Sequence, residues 1–189
     1  MTRLADSNCR LAATTPPQCN PTGAAVDLSG WRVQYMAATG GGSWQVKATL
    51  PANTAIPSHG YYLIASPSFA GTAVPPDLRA GADMGFSGNS GHVRIIDATS
   101  VEVDKLAYGA PGQTVPISPE TAAFMGAAIQ GTTESYERKA LPTSDRASMG
   151  PGGADALRGN GQDADNNSLD FVLRATRDPQ NLQSGVLEP

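Results

Sequence analysis

The stretch between residues 26 and 66 constrains the fold most strongly, because apolar and polar residues alternate there in runs that glycine and proline separate. Trp31, Val33 and Tyr35 alternate with polar neighbours, which is the two-residue period of a β-strand. The pattern predicts a half-buried strand, with one face in a core and the other face in water.

Turn residues around the next two runs predict a hairpin and a third strand. Glycines 40–42 can adopt the positive φ angles of a tight reversal without steric cost, and the apolar run 44–50 follows them. The run 61–65 begins after a Pro-Ser-His-Gly sequence that breaks regular structure. We expect these three strands to form the nucleus of the core, so that truncating Trp31 to alanine would cost roughly 3–5 kcal/mol.

Composition favours a single all-β domain. The chain has 189 residues, with 21 glycines, 15 prolines and only 16% charged residues, which is typical of many turns and few long helices. The net charge of −4 comes without any run of Lys or Arg. Because phosphate binding needs clustered cations, we expect no nucleic acid and no anionic membrane as a main partner.

The sequence contains no segment that predicts membrane insertion. No window reaches the length of a membrane helix, and the first residues lead into polar sequence instead of the apolar segment of a signal peptide. Two alternatives follow: the chain is cytosolic, or it is exported and its signal peptide is not present here.

Cysteine and histidine do not form a recognisable metal set. Cys9 and Cys19 could close a small disulfide ring in an oxidising compartment, or they could remain free thiols. His59 and His92 lie far from the cysteines and from each other, without the spacing of zinc ligands.

Two segments lack a regular period. Residues 1–19 predict an irregular N-terminal arm, which leaves a folded domain at 20–189. Residues 67–91 form a long loop rich in Gly, Ala, Pro and Ser, and we expect Leu78, Met84 and Phe86 to pin it to the core.

The central part of the chain predicts two more strands and a short helix. The runs 93–96 and 101–103 alternate as strands do. The apolar positions change parity before Leu106, which one extra residue would explain, so we expect a β-bulge near Asp104 and Lys105. Ser118 is a capping residue followed by proline and an acid, which predicts a helix to about Gly126.

The segments 133–139 and 171–173 predict the last strands. The first of them also predicts a buried charge, that of Arg138. If Tyr136 faces the core, Arg138 faces it too, and a guanidinium cannot lose its proton. We therefore predict an ion pair between Arg138 and either Asp165 or Asp170. The predicted core consists of seven side chains: Trp31, Val33, Tyr35, Leu63, Ile95, Tyr136 and Phe171.

The acidic run beginning at Asp163 partly follows the pattern of a calcium loop. Asp163, Asp165 and Asn167 occupy alternate positions as calcium ligands do, but the twelfth position is Arg174 and the sixth is Ser168. The pattern favours an Asx-rich turn over a Ca²⁺ site, and we expect no cofactor.

Candidate catalytic and binding residues are few. Neither histidine has a neighbouring sequence that suggests a catalytic triad, so we expect a protein that is not an enzyme. Trp44 and Tyr62 could lie on outer strand faces and stack on a sugar or a protein, or they could close the core, which we favour.

Five sequence pieces, in this order, resemble the lamin tail domain family in its bacterial form. The pieces are Asn20-Pro21-Thr22-Gly23 with 26–31, Ile56-Pro57 with 60–64, Val103-Asp104 with Tyr108-Gly109, Tyr136-Glu137-Arg138, and 163–167 with Asp170-Phe171. The resemblance implies an immunoglobulin-like antiparallel β-sandwich with long Gly/Pro-rich loops. It also implies a binding or structural module, in bacteria often on exported proteins, with no catalysis.

The chain departs from the family pattern before residue 20. Members have one or two strands there, whereas this chain has the irregular arm, so we considered an open sheet edge that a partner strand fills. The alternatives are a diverged strand or a different start site.

The sequence as a whole predicts a non-catalytic module that attaches to a protein or cell-surface partner, on the outside of the cell. The alternative is an accessory domain that targets a secreted hydrolase or nuclease. An independent hydrolase would require a pocket that joins a histidine to an acid and a nucleophile.

Overall fold

A computed structural model of the protein describes residues 10–11, 17–20, 22–69, 74–126 and 133–184. This part of the chain consists mostly of β-strands in antiparallel sheets, with one helix of four residues, which confirms the predicted all-β class. The elements are β1 (Arg10–Leu11), β2 (Pro17–Cys19), β3 (Val26–Asp27), β4 (Arg32–Ala37), β5 (Gln45–Thr49), β6 (Ala55–Ile56), β7 (Tyr61–Ala65), β8 (Leu78–Arg79), β9 (Ser90–Ile96), β10 (Glu102–Gly109), β11 (Ser135–Arg138), α1 (Asn167–Asp170) and β12 (Phe171–Arg174).

The strands form one large sheet and three smaller ones. The four-stranded sheet has the order β10-β9-β4-β5, and the predicted β4–β5 hairpin is confirmed. The three-stranded sheets have the orders β1-β11-β12 and β2-β7-β8, and β3 pairs with β6. All these pairs are antiparallel except β7 with β8.

One hydrophobic core is shared between the sheets. The four-stranded sheet contributes Val33 and Leu106, β7 contributes Ile64, and the β11–β12 pair contributes Tyr136 and Phe171. Aromatic rings join these layers, since the ring of Tyr136 lies 5.2 Å from that of Tyr108 and 5.3 Å from that of Phe124. Of the predicted core, Val33, Tyr35, Leu63, Ile95, Tyr136 and Phe171 are buried, whereas Trp31 is only partly buried against the edge of this core.

The prediction that one face of β4 lies in water is wrong. Val33, Gln34, Tyr35 and Met36 are all buried, because β4 lies inside the four-stranded sheet and both of its faces are covered. On the second face, the Gln34 side chain accepts a hydrogen bond of 2.8 Å from Nε of Arg94. Gln34 therefore gives the same alternation of apolar and polar residues when it is buried and hydrogen-bonded as it would if it were exposed.

The described pieces of the segment before residue 20 are two short strands. β1 pairs with β11 through Arg10 and Leu11, and β2 pairs with β7. These edges of β11 and β7 are therefore occupied by the chain's own strands, and a partner strand could not pair there. Cys9 lies outside the described residues, and so does the proposed ring to Cys19.

The bulge predicted at Asp104 and Lys105 is not at those residues, but β10 has a bulge at the preceding residue. Glu102 pairs with Ile96 and Asp104 with Ile95, so Val103 is the additional residue. Pairing is regular through Asp104 and Lys105. The parity change seen in the sequence thus begins at Val103.

The predicted helix from Ser118 to Gly126 is wrong. Phe124 instead runs parallel to β10, where it donates to the carbonyl of Ala107 and accepts from the amide of Gly109. This extended conformation satisfies backbone groups at the edge of β10, which a helix could not do.

The long loop after β7 is held by its apolar residues, as predicted. Met84 is buried, and Leu78 and Phe86 pack against the core. Leu78 also begins β8. Among the described residues, no helix has the length and apolar character that crossing a membrane requires.

The burial of the aromatic residues corrects the expected cost of losing Trp31. Phe171 is 2% exposed, so Phe171→Ala should lower the free energy of unfolding by roughly 3–5 kcal/mol. Trp31→Ala should cost less, because its ring is already in partial contact with water. Urea denaturation of both variants tests this order, and an equal or larger loss for Trp31→Ala would contradict it.

Candidate functional site

Buried charged side chains gather where the end of β11 meets β10 and the turn before β12. Arg138 is 3% exposed, and the carboxylates of Asp104, Asp163 and Asp170 lie around its guanidinium. We call these four residues, together with Glu120, the Arg138 cluster. Its members come from distant parts of the sequence, and the fold alone brings them together.

Asp104 makes the closest ion pair with Arg138. Its Oδ1 lies 2.6 Å from Nη2, whereas the carboxylates of Asp163 and Asp170 lie 3.5 and 3.8 Å from Nη1. Nη1 also donates to the carbonyl of Gln162 at 2.9 Å. The guanidinium carbon lies 4.6 Å from the centre of the Phe171 ring, so its flat face is covered as well.

Asp170 organises the turn that precedes β12. One carboxylate oxygen accepts from the amide of Ala164 and the side chain of Gln162, and the other accepts from the amide of Asn166. Asp170 is fully buried. Its carboxylate therefore holds three groups of this turn together while it is hidden from water.

Asn167 connects the same turn to β10. Its Oδ1 accepts from the amides of Ala107 and Glu120, at 2.9 and 3.2 Å. Its Nδ2 donates to the carbonyl of Lys105 at 2.8 Å and to Oε2 of Glu120 at 2.7 Å. This buried amide therefore satisfies edge groups of β10 as a neighbouring strand would.

Burial makes two carboxyl groups of the cluster harder to ionise. Desolvation, together with repulsion from Asp104, raises the pKa of Glu120 to about 8. Desolvation also raises the pKa of Asp163, although the nearby Arg138 opposes that rise. At neutral pH Glu120 therefore carries a proton most of the time.

Three carboxylates of the cluster could hold a cation by their geometry. Ligand oxygens of Glu120, Asp163 and Asp170 lie within 4.8 Å of one another. The guanidinium of Arg138 already supplies a positive charge next to Asp163 and Asp170. The residues that the calcium-loop pattern would use are arranged differently: Asp165 is exposed, and Oδ1 of Asn167 accepts from two backbone amides.

A second buried ion pair lies on the same strand, β11. Oε2 of Glu137 is 2.7 Å from Nη1 of Arg174, and the side chains are 1% and 4% exposed. Asn160 donates to the other oxygen of Glu137 at 3.2 Å. Both faces of β11 therefore bury a charge, whereas the sequence analysis assigned only Arg138 to the interior.

His92 is buried beneath the second face of the four-stranded sheet. Its Nδ1 lies 3.3 Å from the carbonyl of Met36, and the amide of Ser118 donates to Nε2 at 3.1 Å. Desolvation lowers the pKa of His92, so the ring stays neutral near pH 7. In the part of the chain that the structure describes, no carboxylate pairs with either histidine.

Trp44 and Tyr62 have different surroundings. Tyr62 is buried in the core, as the favoured interpretation predicts. Trp44 is partly exposed on the second face of the four-stranded sheet, where its ring covers Arg94 at 4.1 Å and meets the ring of His92 edge-on.

Of the two acids predicted for Arg138, Asp170 lies 3.8 Å from its guanidinium and Asp165 lies in an exposed part of the turn before α1. Asp104 lies closer to Arg138 than Asp170 does, at 2.6 Å. Asp104 and Glu120 were not among the predicted site residues. The parity change at the bulge was the available signal for Asp104, because a bulge redirects a side chain from one face to the other.

No protein-family model and no curated protein matches this chain.

Removal of the Arg138 charge should strongly destabilise the protein. Arg138→Gln would leave Asp104, Asp163 and Asp170 without their buried cation, which typically costs about 3–5 kcal/mol. The matched control is Arg146→Gln, because Arg146 is 54% exposed and lies 3.9 Å from Glu134. That control should cost less than about 1 kcal/mol. Chemical denaturation measures both, and similar losses would show that the cluster does not depend on Arg138.

The raised pKa of Glu120 predicts a pH dependence of stability. Its folded pKa, about 8, exceeds the ordinary value of 4.5, so its contribution is fully present below pH 4.5 and is lost as pH rises through 8. Glu120→Gln removes the titration. The melting temperatures of the variant and the wild type should differ little at pH 4, and the variant should melt roughly 5 °C or more higher at pH 8. A constant difference across this range would contradict the assignment.

Proposed function

We propose that this chain is a non-catalytic interaction module that attaches to a protein on the cell surface, with the immunoglobulin-like sandwich of the lamin tail kind. The β-rich architecture and the five sequence pieces that resemble that family support the proposal. Export and surface location follow from the resemblance. The single observation that carries the proposal is that the buried charged groups pair with one another inside the protein.

Those groups stabilise the fold and are not arranged as reacting groups. Arg138 contacts Asp104, and Arg174 contacts Glu137, so the buried charges are matched within the protein. His92 contacts backbone groups on both ring nitrogens. General acid–base or nucleophilic catalysis needs a base beside a nucleophile or a substrate, and this arrangement does not favour it.

An apolar surface on the four-stranded sheet is suited to a protein partner. Val46 is 49% exposed, and it lies opposite Gln34 in the β4–β5 pair. Gln34 accepts a hydrogen bond from Arg94, and the ring of Trp44 lies over Arg94. Ile117 is 63% exposed, and its amide donates to the carbonyl of Ala38 at the end of β4. We call Trp44, Val46 and Ile117 the Trp44 patch. Tryptophan and arginine are enriched among binding hot spots, and Trp44 lies beside Arg94 here.

Affinity purification from the source cells tests this function. The double variant Val46→Glu/Ile117→Glu places charges in the Trp44 patch, and both sites are exposed, so the fold should be retained. We expect the amount of the main co-purified surface protein to fall by roughly fivefold or more. Val101→Glu is the matched control, because Val101 is 55% exposed at the opposite end of the sheet. This control should retain the partner.

Two results would contradict the proposal. Equal partner recovery with the double variant would show that the Trp44 patch is not the binding surface. Turnover of ester, peptide, glycoside or phosphodiester substrates by the purified wild-type chain would show that the protein is an enzyme.

A further inference from the structure

A cavity separate from the Arg138 cluster lies between the glycine-rich segment and the end of β12. Its volume is about 600 Å³, which lies within the range of small-molecule sites. One wall consists of residues 151–154 and 156–158, and the other wall contains Arg174, Thr176, Arg177 and Asp178. The cavity therefore combines a turn of small and apolar residues with arginine side chains.

Three arginines line this cavity: Arg158, Arg174 and Arg177. Arg158 is 60% exposed, and its nearest carboxylate, that of Asp155, is 3.9 Å away. The guanidinium of Arg177 stands 5.7 Å from the ring of Phe69. Neither side chain is held by a close carboxylate among the contacts that the structure describes, so both can turn towards a ligand.

Arg174 has an unused hydrogen-bond donor. Its Nη1 is paired with Glu137, but its buried Nε has no acceptor among the described residues. A buried donor without an acceptor costs free energy, so an oxygen that reaches this guanidinium would stabilise it. A ligand in the cavity that Arg174 lines could supply an oxygen to this guanidinium after a small shift of the side chain.

The glycine-rich wall is preorganised. The amide of Gly153 donates to the carbonyl of Gly150, and that of Asp155 donates to the carbonyl of Ser148. Met149 anchors the turn, since its side chain is fully buried. A wall ordered in advance reduces the entropy that a ligand must overcome on binding.

We propose that this cavity binds a small ligand that carries an oxyanion, a carboxylate or a phosphate, on an apolar body. The planar guanidinium of arginine matches both oxyanions through paired hydrogen bonds. Pro151, Ala154, Ala156 and Leu157 line the opposite wall and suit an apolar body. Asp178 is the one acid in the lining, so a single oxyanion fits better than a polyanion. This inference is independent of the protein-binding role of the Trp44 patch.

Calorimetric titration of the full chain with three probes tests the site. Phenyl phosphate and benzoate carry the two oxyanions on the same ring, and benzyl alcohol is the neutral analogue. We expect at least one of the two anions to bind with a Kd of about 1 mM or tighter. The two anionic probes distinguish a phosphate from a carboxylate preference. Benzyl alcohol should bind roughly tenfold or more weakly than the better anion, because it lacks the charge-assisted hydrogen bonds.

Variants then assign the binding to the cavity. Arg158→Gln and Arg177→Gln should each lower the affinity for the tighter-binding anion by roughly three- to tenfold. Arg146→Gln is the matched control, because Arg146 is similarly exposed and similarly far from its carboxylate but does not line the cavity. Arg174→Gln is avoided, since it would leave Glu137 buried without its cation.

Three results would overturn the proposal. The first is that neither anion binds the wild type with millimolar affinity. The second is that benzyl alcohol binds as tightly as the anions. The third is an equal loss of affinity in Arg146→Gln and Arg158→Gln, which would mean that overall charge and not the cavity attracts the probe.

Discussion

The buried guanidinium of Arg138 is the constraint on which the arrangement of the sheets depends. A guanidinium keeps its proton at any pH at which the protein folds, so its burial on β11 requires acids nearby. Asp104 comes from the four-stranded sheet, and Asp163 and Asp170 come from the turn before β12. The ion pairs therefore join β10 to β11 across two sheets that also share apolar packing and the bonds of Asn167 to β10. The ring of Phe171 lies over the same group and links the charge to the core.

The surrounding polar groups complete this junction. Asn167 bonds Lys105, Ala107 and Glu120, so the amide of one side chain replaces a strand at the edge of β10. Glu120 keeps a proton near neutral pH because burial, and then repulsion from Asp104, raises its pKa. The cluster thus holds three aspartates and one protonated acid around one cation. An arrangement of this kind fixes how β10, β11 and the turn before β12 meet.

Local patterns predicted the strands well and the contacts between them poorly. The two-residue period placed β4, β5, β7, β9, β11 and β12 close to their observed positions, because each has an apolar face. The same period could not show that both faces of β4 are covered, since Gln34 is polar whether it is buried or exposed. The need for an acid at Arg138 followed from chemistry, but Asp104 and Arg138 are far apart in sequence. The helix expected after Ser118 failed because the edge of β10 requires an extended partner at Phe124.

The coupling energy between Arg138 and Asp104 tests the central claim most directly. A double-mutant cycle with Arg138→Gln, Asp104→Asn and the double variant measures it from unfolding free energies. If the guanidinium joins the sheets through Asp104, the two substitutions should interact by about 1–3 kcal/mol. Additive effects, within about 0.5 kcal/mol, would contradict the account.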